Sequence, residues 1–160
     1  MHLEQASHLM PPQKSEKSEI RVTKFTLDSS FLASVLAGDE LKSRESAEFL
    51  SKIINAGFEI FIPMIVLFET FHFIRRKSKL SRVIDYSHFQ NIFFRSPFKY
   101  VPHSLKFFKF FKRFTFLSEL KTSDAIIVST ALLKNSMLIT WDKKILAAAN
   151  NAYTPEEIGY

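Results

Sequence analysis

Four acids stand at positions where a parallel α/β fold would place chemistry. Asp28 closes the run IRVTKFTLD (20–28). Glu69 lies within PMIVLFETFHFI (63–74), apolar on both sides. Asp124 opens the apolar run in LKTSDAIIVSTALLKN (120–135), and Asp142 follows a short apolar stretch in LITWDKK. Clustered carboxylates repel and raise one another's pKa. A divalent cation cancels that repulsion, and hard cations such as Mg²⁺ or Mn²⁺ prefer oxygen ligands. Such a site generates a nucleophilic water and stabilises charge at a phosphate in transfer. Three of the acids also have an ordinary structural reading. Asp28 can cap the helix SSFLASVL, Asp142 can cap the last helix, and Asp124 can complement a helix dipole. Glu69, mid-helix among Leu67, Phe68, Phe71 and Phe73, has no capping role.

The elements that would position these acids alternate along the chain. Residues 20–28 are β-branched and alternating, which predicts a strand ending at Asp28. Residues 29–38 predict a short helix stopped by Gly38, and 39–57 an amphipathic helix with Asp39 as N-cap. FEIFI (58–62) predicts a second strand, and Pro63 suits the first turn of the helix that follows. Further helices are expected at 79–94, 103–117, 122–134 and 142–149. Strands are expected at 98–102 and 136–140, with a weak one at 152–154. Short apolar strands alternating with longer helices indicate a parallel sheet covered on both faces, an α/β sandwich. In such sheets active sites lie beyond the carboxyl ends of the strands. All four acids fall near that edge.

The chain has 160 residues and reads as one domain, residues 20–160, behind a polar N-terminal extension, 1–19, expected to be flexible. It has no cysteine, which removes disulfides, thiolate zinc sites and cysteine nucleophiles. The N-terminus carries no signal-peptide pattern. The longest apolar run, IFIPMIVLF (60–68), is far short of the roughly 20 residues that span a bilayer. A soluble cytoplasmic protein is expected. The formal net charge is +6, unevenly spread. Between Phe71 and Lys121 stand twelve Lys/Arg against two acids, Asp85 and Glu119, so that segment is +10 and the remainder −4. A basic sector on an acidic body points to a polyanion, most often nucleic acid. A solvated face without a partner has the same composition.

With these motifs in place, the sequence resembles a PIN-domain ribonuclease, in particular the VapC-type toxins. The resemblance rests on TLDSSFL (26–32), PMIVLFETFHFI (63–74), LKTSDAIIVSTALLKNS (120–136) and MLITWDKKI (137–145). It implies a central parallel sheet of order 3-2-1-4-5 and Mg²⁺- or Mn²⁺-dependent endonuclease activity on RNA. By position it implies that Asp28, Glu69, Asp124 and Asp142 bind metal and are catalytic. Ser30 and Thr140 match polar positions that support the site. The expected mechanism has one or two ions activating a water for in-line attack on a phosphodiester, leaving 5′-phosphate and 3′-hydroxyl ends. A cognate antitoxin and a homodimer are the partners the family implies. Two alternatives remain beside a toxin: an RNA-processing PIN nuclease, and a catalytically silent RNA-binding PIN protein.

One other stretch stands out. In LKFFKFFKRFTF (105–116), Phe107, Phe108, Phe110, Phe111 and Phe114 fall on one helical arc and Lys106, Lys109, Lys112 and Arg113 on the other. A core helix with a basic outer face is expected, its cations available to an RNA backbone; membrane contact is not expected. The Glu-x-x-His in ETFH (69–72) occurs once, short of what a di-iron bundle needs, and His72 reads as a neighbour of Glu69 at the pocket rim or as a packed side chain.

Overall fold

The computed structural model describes residues 24–37, 41–81, 86–95 and 97–159. The expected N-terminal extension and the Asp39 cap lie outside them. The chain runs β1 (Lys24–Leu27), α1 (Ser29–Ala37), α2 (Leu41–Asn55), β2 (Glu59–Pro63), α3 (Met64–Ser81), α4 (Tyr86–Arg95) and β3 (Phe98–Val101). It continues through α5 (Leu105–Phe111), a 3₁₀ turn (Thr115–Glu119), α6 (Thr122–Lys134), β4 (Met137–Ile139), α7 (Lys143–Ala148), β5 (Ala152–Tyr153) and α8 (Pro155–Ile158). All five strands pair in parallel, in the order β3-β2-β1-β4-β5. This is the expected α/β/α sandwich.

β1 is central, and its residues show why the sheet must be covered twice. Successive strand residues point to opposite faces. Phe25, Thr26 and Leu27 are all fully buried, so neither face of β1 meets water. On one face Phe25 meets Phe49 of α2 edge-on, with ring centroids 5.7 Å apart. Phe31 of α1 meets the same Phe49 at 5.9 Å. Edge-to-face pairs of this kind contribute about 0.5–1.5 kcal/mol beyond their area. They fix α1 and α2 to the strand that delivers Asp28.

α6 packs on β1, β2 and β4. Ala125, Ile127, Val128 and Ala131 are buried along it. It ends where Asn135 turns left-handed (φ 48°, ψ 54°), a conformation Asn tolerates better than most residues. The amide of Ser136 then reaches back to Ala131 O at 3.0 Å, and its hydroxyl lies 2.7 Å from Thr26 Oγ1. Those two contacts set where β4 begins against β1.

Three expectations need correction. Pro63 does not open α3; it ends β2, in register with Val101, a place where a residue lacking N–H is tolerated because the strand stops there. α3 continues to Ser81, so residues 79–81 belong to it rather than to the next helix. The helix expected over 103–117 is two pieces, α5 and the 3₁₀ turn, separated by a break at 112–114. α8, which the sequence reading omitted, is held by a capping box between Thr154 and Glu157. No helix among the described residues is long and apolar enough to cross a membrane.

Candidate functional site

Asp28 leaves the carboxyl end of β1 and is 2 % exposed. Its Oδ1 accepts the Ser29 amide at 2.6 Å. Its Oδ2 accepts Ser30 Oγ at 2.5 Å, Thr140 Oγ1 at 2.7 Å and the Ser30 amide at 3.3 Å. The two amides are the capping role expected of an acid before a helix. The Thr140 contact is not, since it comes from beyond β4. Burial raises the Asp28 carboxyl above its ordinary value, and the donors from Ser30, Thr140 and Ser29 offset part of that rise.

Asp142 also caps: its Oδ1 accepts the Lys144 amide at 2.7 Å, opening α7. Its own amide donates to Thr140 Oγ1 at 2.9 Å. Thr140 therefore touches both acids, and Ser30 Oγ lies 3.2 Å from it. The small hydroxyls at 30 and 140 add side-chain links between β1 and β4 at this edge, beside the Asp28 amide's bond to Ile139 O at 3.0 Å.

Asp124 stands in the first turn of α6, half-buried, and makes no cap. Its carboxyl is raised, first by burial and then by the negative charges of Asp142, Asp28 and Glu69. The Ser123 hydroxyl, donating at 3.4 Å, offsets part of this. The other three acids thus lie near enough to act on Asp124 through space. The four do not converge on a point: among the described residues, no three His, Cys, Asp or Glu side chains form a group that could hold a metal ion. The donor set nonetheless fits a hard divalent cation in kind, being four carboxylates whose repulsion a cation would relieve.

Glu69 lies in the second turn of α3, beside an open groove of ≈ 430 Å³ lined by Phe68, Glu69, His72, Phe73 and Arg76. Its apolar sequence neighbours do not bury it. Phe68 is 64 % exposed, and the core face of α3 runs instead through Val66, Thr70 and Ile74. His72 lines the groove with Glu69, as expected of a neighbour.

One part of the site had no signal in the sequence reading. The Trp141 indole N–H donates to Ser46 Oγ at 2.9 Å and Ser34 Oγ at 3.2 Å, and the Trp141 amide donates to Ser30 Oγ at 3.0 Å. Lys42 Nζ sits 5.0 Å over the indole ring. A half-buried Trp needs an acceptor, but nothing local to residue 141 says that α1 and α2 supply it. Trp141→Phe keeps an aromatic side chain but removes the N–H and the rest of the fused five-membered ring. Ser34 and Ser46 remain bonded to each other at 2.6 Å, so the expected loss is about 1 kcal/mol for the shared N–H donor plus the packing of the missing ring atoms, read as a lower urea midpoint with unchanged slope.

A parallel five-stranded sheet in the order β3-β2-β1-β4-β5, covered by helices, defines the class: an α/β/α domain. The PIN domain family model matches residues 25–151, and the chain belongs to that family. Among solved structures, the chain is similar to a toxin–antitoxin complex from Klebsiella pneumoniae at 21 % identity and TM-score 0.57, covering 81 % of this chain and 96 % of that one. It is similar to PAE2754 from Pyrobaculum aerophilum at 19 % identity and TM-score 0.62, covering 85 % and 92 %. It is also similar to VapC20 from Mycobacterium tuberculosis, described as a Sarcin-Ricin loop cleaving toxin, at 15 % identity and TM-score 0.58, covering 78 % and 94 %. At these identities the likeness shows the fold. No curated protein matches the sequence.

Proposed function

We propose that this chain is a divalent-metal-dependent endoribonuclease, the toxin of a toxin–antitoxin pair. The observation that carries the reading is Asp124, a carboxyl raised by burial and by three further acids at one edge of a PIN-family sheet. A divalent cation would relieve the repulsion that Asp142, Asp28 and Glu69 exert on Asp124. Asp28, Glu69, Asp124 and Asp142 would hold Mg²⁺ or Mn²⁺. The bound ion would supply an activated water and neutralise charge at the scissile phosphate.

The chain's own groups do the rest. Thr140 and Ser30 hold the Asp28 carboxylate and keep Asp142 beside it. Asp142 stays ordered because it caps α7. Arg76, on the groove beside Glu69, offers a cation to the RNA backbone.

The toxin reading is supported by the neighbours described as toxin–antitoxin complexes, among them VapBC2 from Rickettsia felis bound to promoter DNA (19 % identity, TM-score 0.55). It gains from exposed aromatic side chains on α3 and α4. Phe68, Phe71 and Phe94, the last 70 % exposed, offer apolar surface to an antitoxin or to a second copy in a homodimer.

The test is cleavage of a single-stranded RNA after chelation and metal add-back. Chelated protein should be inert, Mg²⁺ or Mn²⁺ should restore cutting, and the products should carry 5′-phosphates. Cutting that persists unchanged in excess chelator would refute the reading. Growth arrest on expression, relieved by a neighbouring antitoxin gene, separates the toxin from an RNA-processing enzyme.

A further inference from the structure

The outer face of α5 is not the face its composition predicts. Phe107 is buried, stacks on Phe111 at 6.3 Å and meets His103 edge-on at 5.1 Å. Phe110 packs on Phe114 at 4.8 Å. These rings hold the helix to the body. Phe108 does not join them. Counting about 100° per residue from Phe107, Phe111 stands at about 40° but Phe108 at about 100°, next to Lys112 at about 140°. Phe108 is accordingly 56 % exposed, and Leu105 71 %. Leu105, Phe108, Lys109 and Lys112 follow the i, i+3, i+4, i+7 spacing of one stripe. Lys106 and Arg113, both exposed, flank it. No ion pair among the described residues engages any of the four cations.

α5 is also joined to the site side of the sheet. The chain leaves β3 at its carboxyl end, Val101, and enters α6 with Asp124 in the first turn. α5 lies between the two and packs against α6.

We infer that α5 is a docking surface for a single-stranded segment of the nucleic acid substrate, with Phe108 stacking an unpaired base and Lys109 and Lys112 meeting the flanking phosphates. The inference rests on the ribonuclease reading for the identity of the strand as RNA. An exposed ring among lysines suits an unpaired base, because every base offers a π-face once it is unstacked, and a duplex keeps its bases stacked on each other. A membrane surface is the poorer fit. α5 has seven residues, and its outward apolar area is two side chains, since Phe107 is committed to the core. The basic sector also resolves a conflict, since an acidic site repels the polyanion it must cut. Unpaired cations on the neighbouring helix draw the strand in.

The experiment is fluorescence anisotropy of the full chain with a labelled single-stranded RNA, without added metal so that the strand stays intact. Phe108→Ala and Phe108→Leu should each weaken binding about 5- to 100-fold, the scale for one lost base stack, while Phe108→Tyr should bind like the parent. The paired change Lys109→Gln with Lys112→Gln should flatten the slope of log K against log salt by about 0.7 per lost phosphate contact. Lys52→Gln, on the exposed side of α2, should change neither. The same sequence as a duplex should bind more weakly than the single strand and be indifferent to Phe108. Because Phe108 points outward, unchanged melting temperatures should accompany every variant at that position.

Single-strand affinity unchanged in Phe108→Ala would overturn the inference. So would Phe108-dependent binding to phosphatidylserine vesicles without RNA binding. The two readings fail separately. A parent that binds RNA through Phe108 but never cuts leaves the inference standing and removes the nuclease. A parent that cuts, with Phe108→Ala unaltered in affinity and KM, does the reverse.

Discussion

Asp124→Asn should lose RNA cleavage by about a hundredfold or more, the scale for removing one preorganised charge from a reaction centre, and should melt higher than the parent in metal-free buffer. The second half of that expectation separates a site acid from a structural one. Burial and then Asp142, Asp28 and Glu69 raise the Asp124 carboxyl. A carboxyl raised in the folded state binds its proton more tightly there than in the unfolded chain. Its contribution to stability is complete below the unfolded value of 3.8 and is lost as pH climbs through the window up to the folded value. At neutral pH the charged acid is therefore a burden. Asparagine removes the charge and nearly keeps the shape. The order should invert with saturating Mg²⁺. The parent then gains binding free energy, about 2.7 kcal/mol at a hundred times its dissociation constant, and the variant gains little. Thermal unfolding of both proteins, with chelator and with Mg²⁺, reads all four values. A variant less stable than the parent in chelator would mean that Asp124 serves the fold.

Thr140→Val should cost about 1.5–3 kcal/mol at neutral pH, the range for a hydrogen bond to a charged group. Valine matches threonine in shape, so no cavity opens. What disappears is one oxygen with two duties: it donates to Asp28 Oδ2 at 2.7 Å and accepts the Asp142 amide at 2.9 Å. Asp28 is already raised by burial, and the Thr140 donor is among the groups holding that rise down. Without it the carboxyl rises further, and the window over which stability falls with pH widens upward. The difference between Thr140→Val and parent should thus grow from acid toward neutral pH in urea unfolding. A constant difference would assign the loss to packing. Metal affinity should fall with the same substitution, because a carboxyl that holds its proton is a poorer ligand.

Much of the fold was readable because its signals are local. An apolar strand ending in an acid, TLDSS, and an acid opening an apolar helix, SDAIIVSTALL, each fit within one element. They place Asp28 and Asp124 without knowledge of any partner. Asp142 was readable for the same reason, and capping turned out to be part of what holds it. What escaped the sequence needed distance or phase. Trp141 meets Ser46 across 95 residues, and no window contains both. Phe108 was placed in the core because a five-phenylalanine arc looks continuous. The arc is wider than the contact a seven-residue helix makes, and its last member falls off the edge among lysines. Glu69 stands among apolar residues in the sequence, yet Phe68 turns outward and lines the same groove as Glu69.

The bond from Thr140 to Asp28 spans 112 residues, and the Thr26–Ser136 contact spans 110. β1 is among the first strands to be synthesised, but its neighbour β4 is the fourth of five. At roughly 5–20 residues per second of synthesis, the interval between Asp28 and Asp142 is on the order of ten seconds. Through that interval the emerging chain holds Asp28 but neither the hydroxyl that steadies it nor the acid beside it. The parallel topology thus works as a timer: the acidic edge is finished only once β4 and the residues after it have been made.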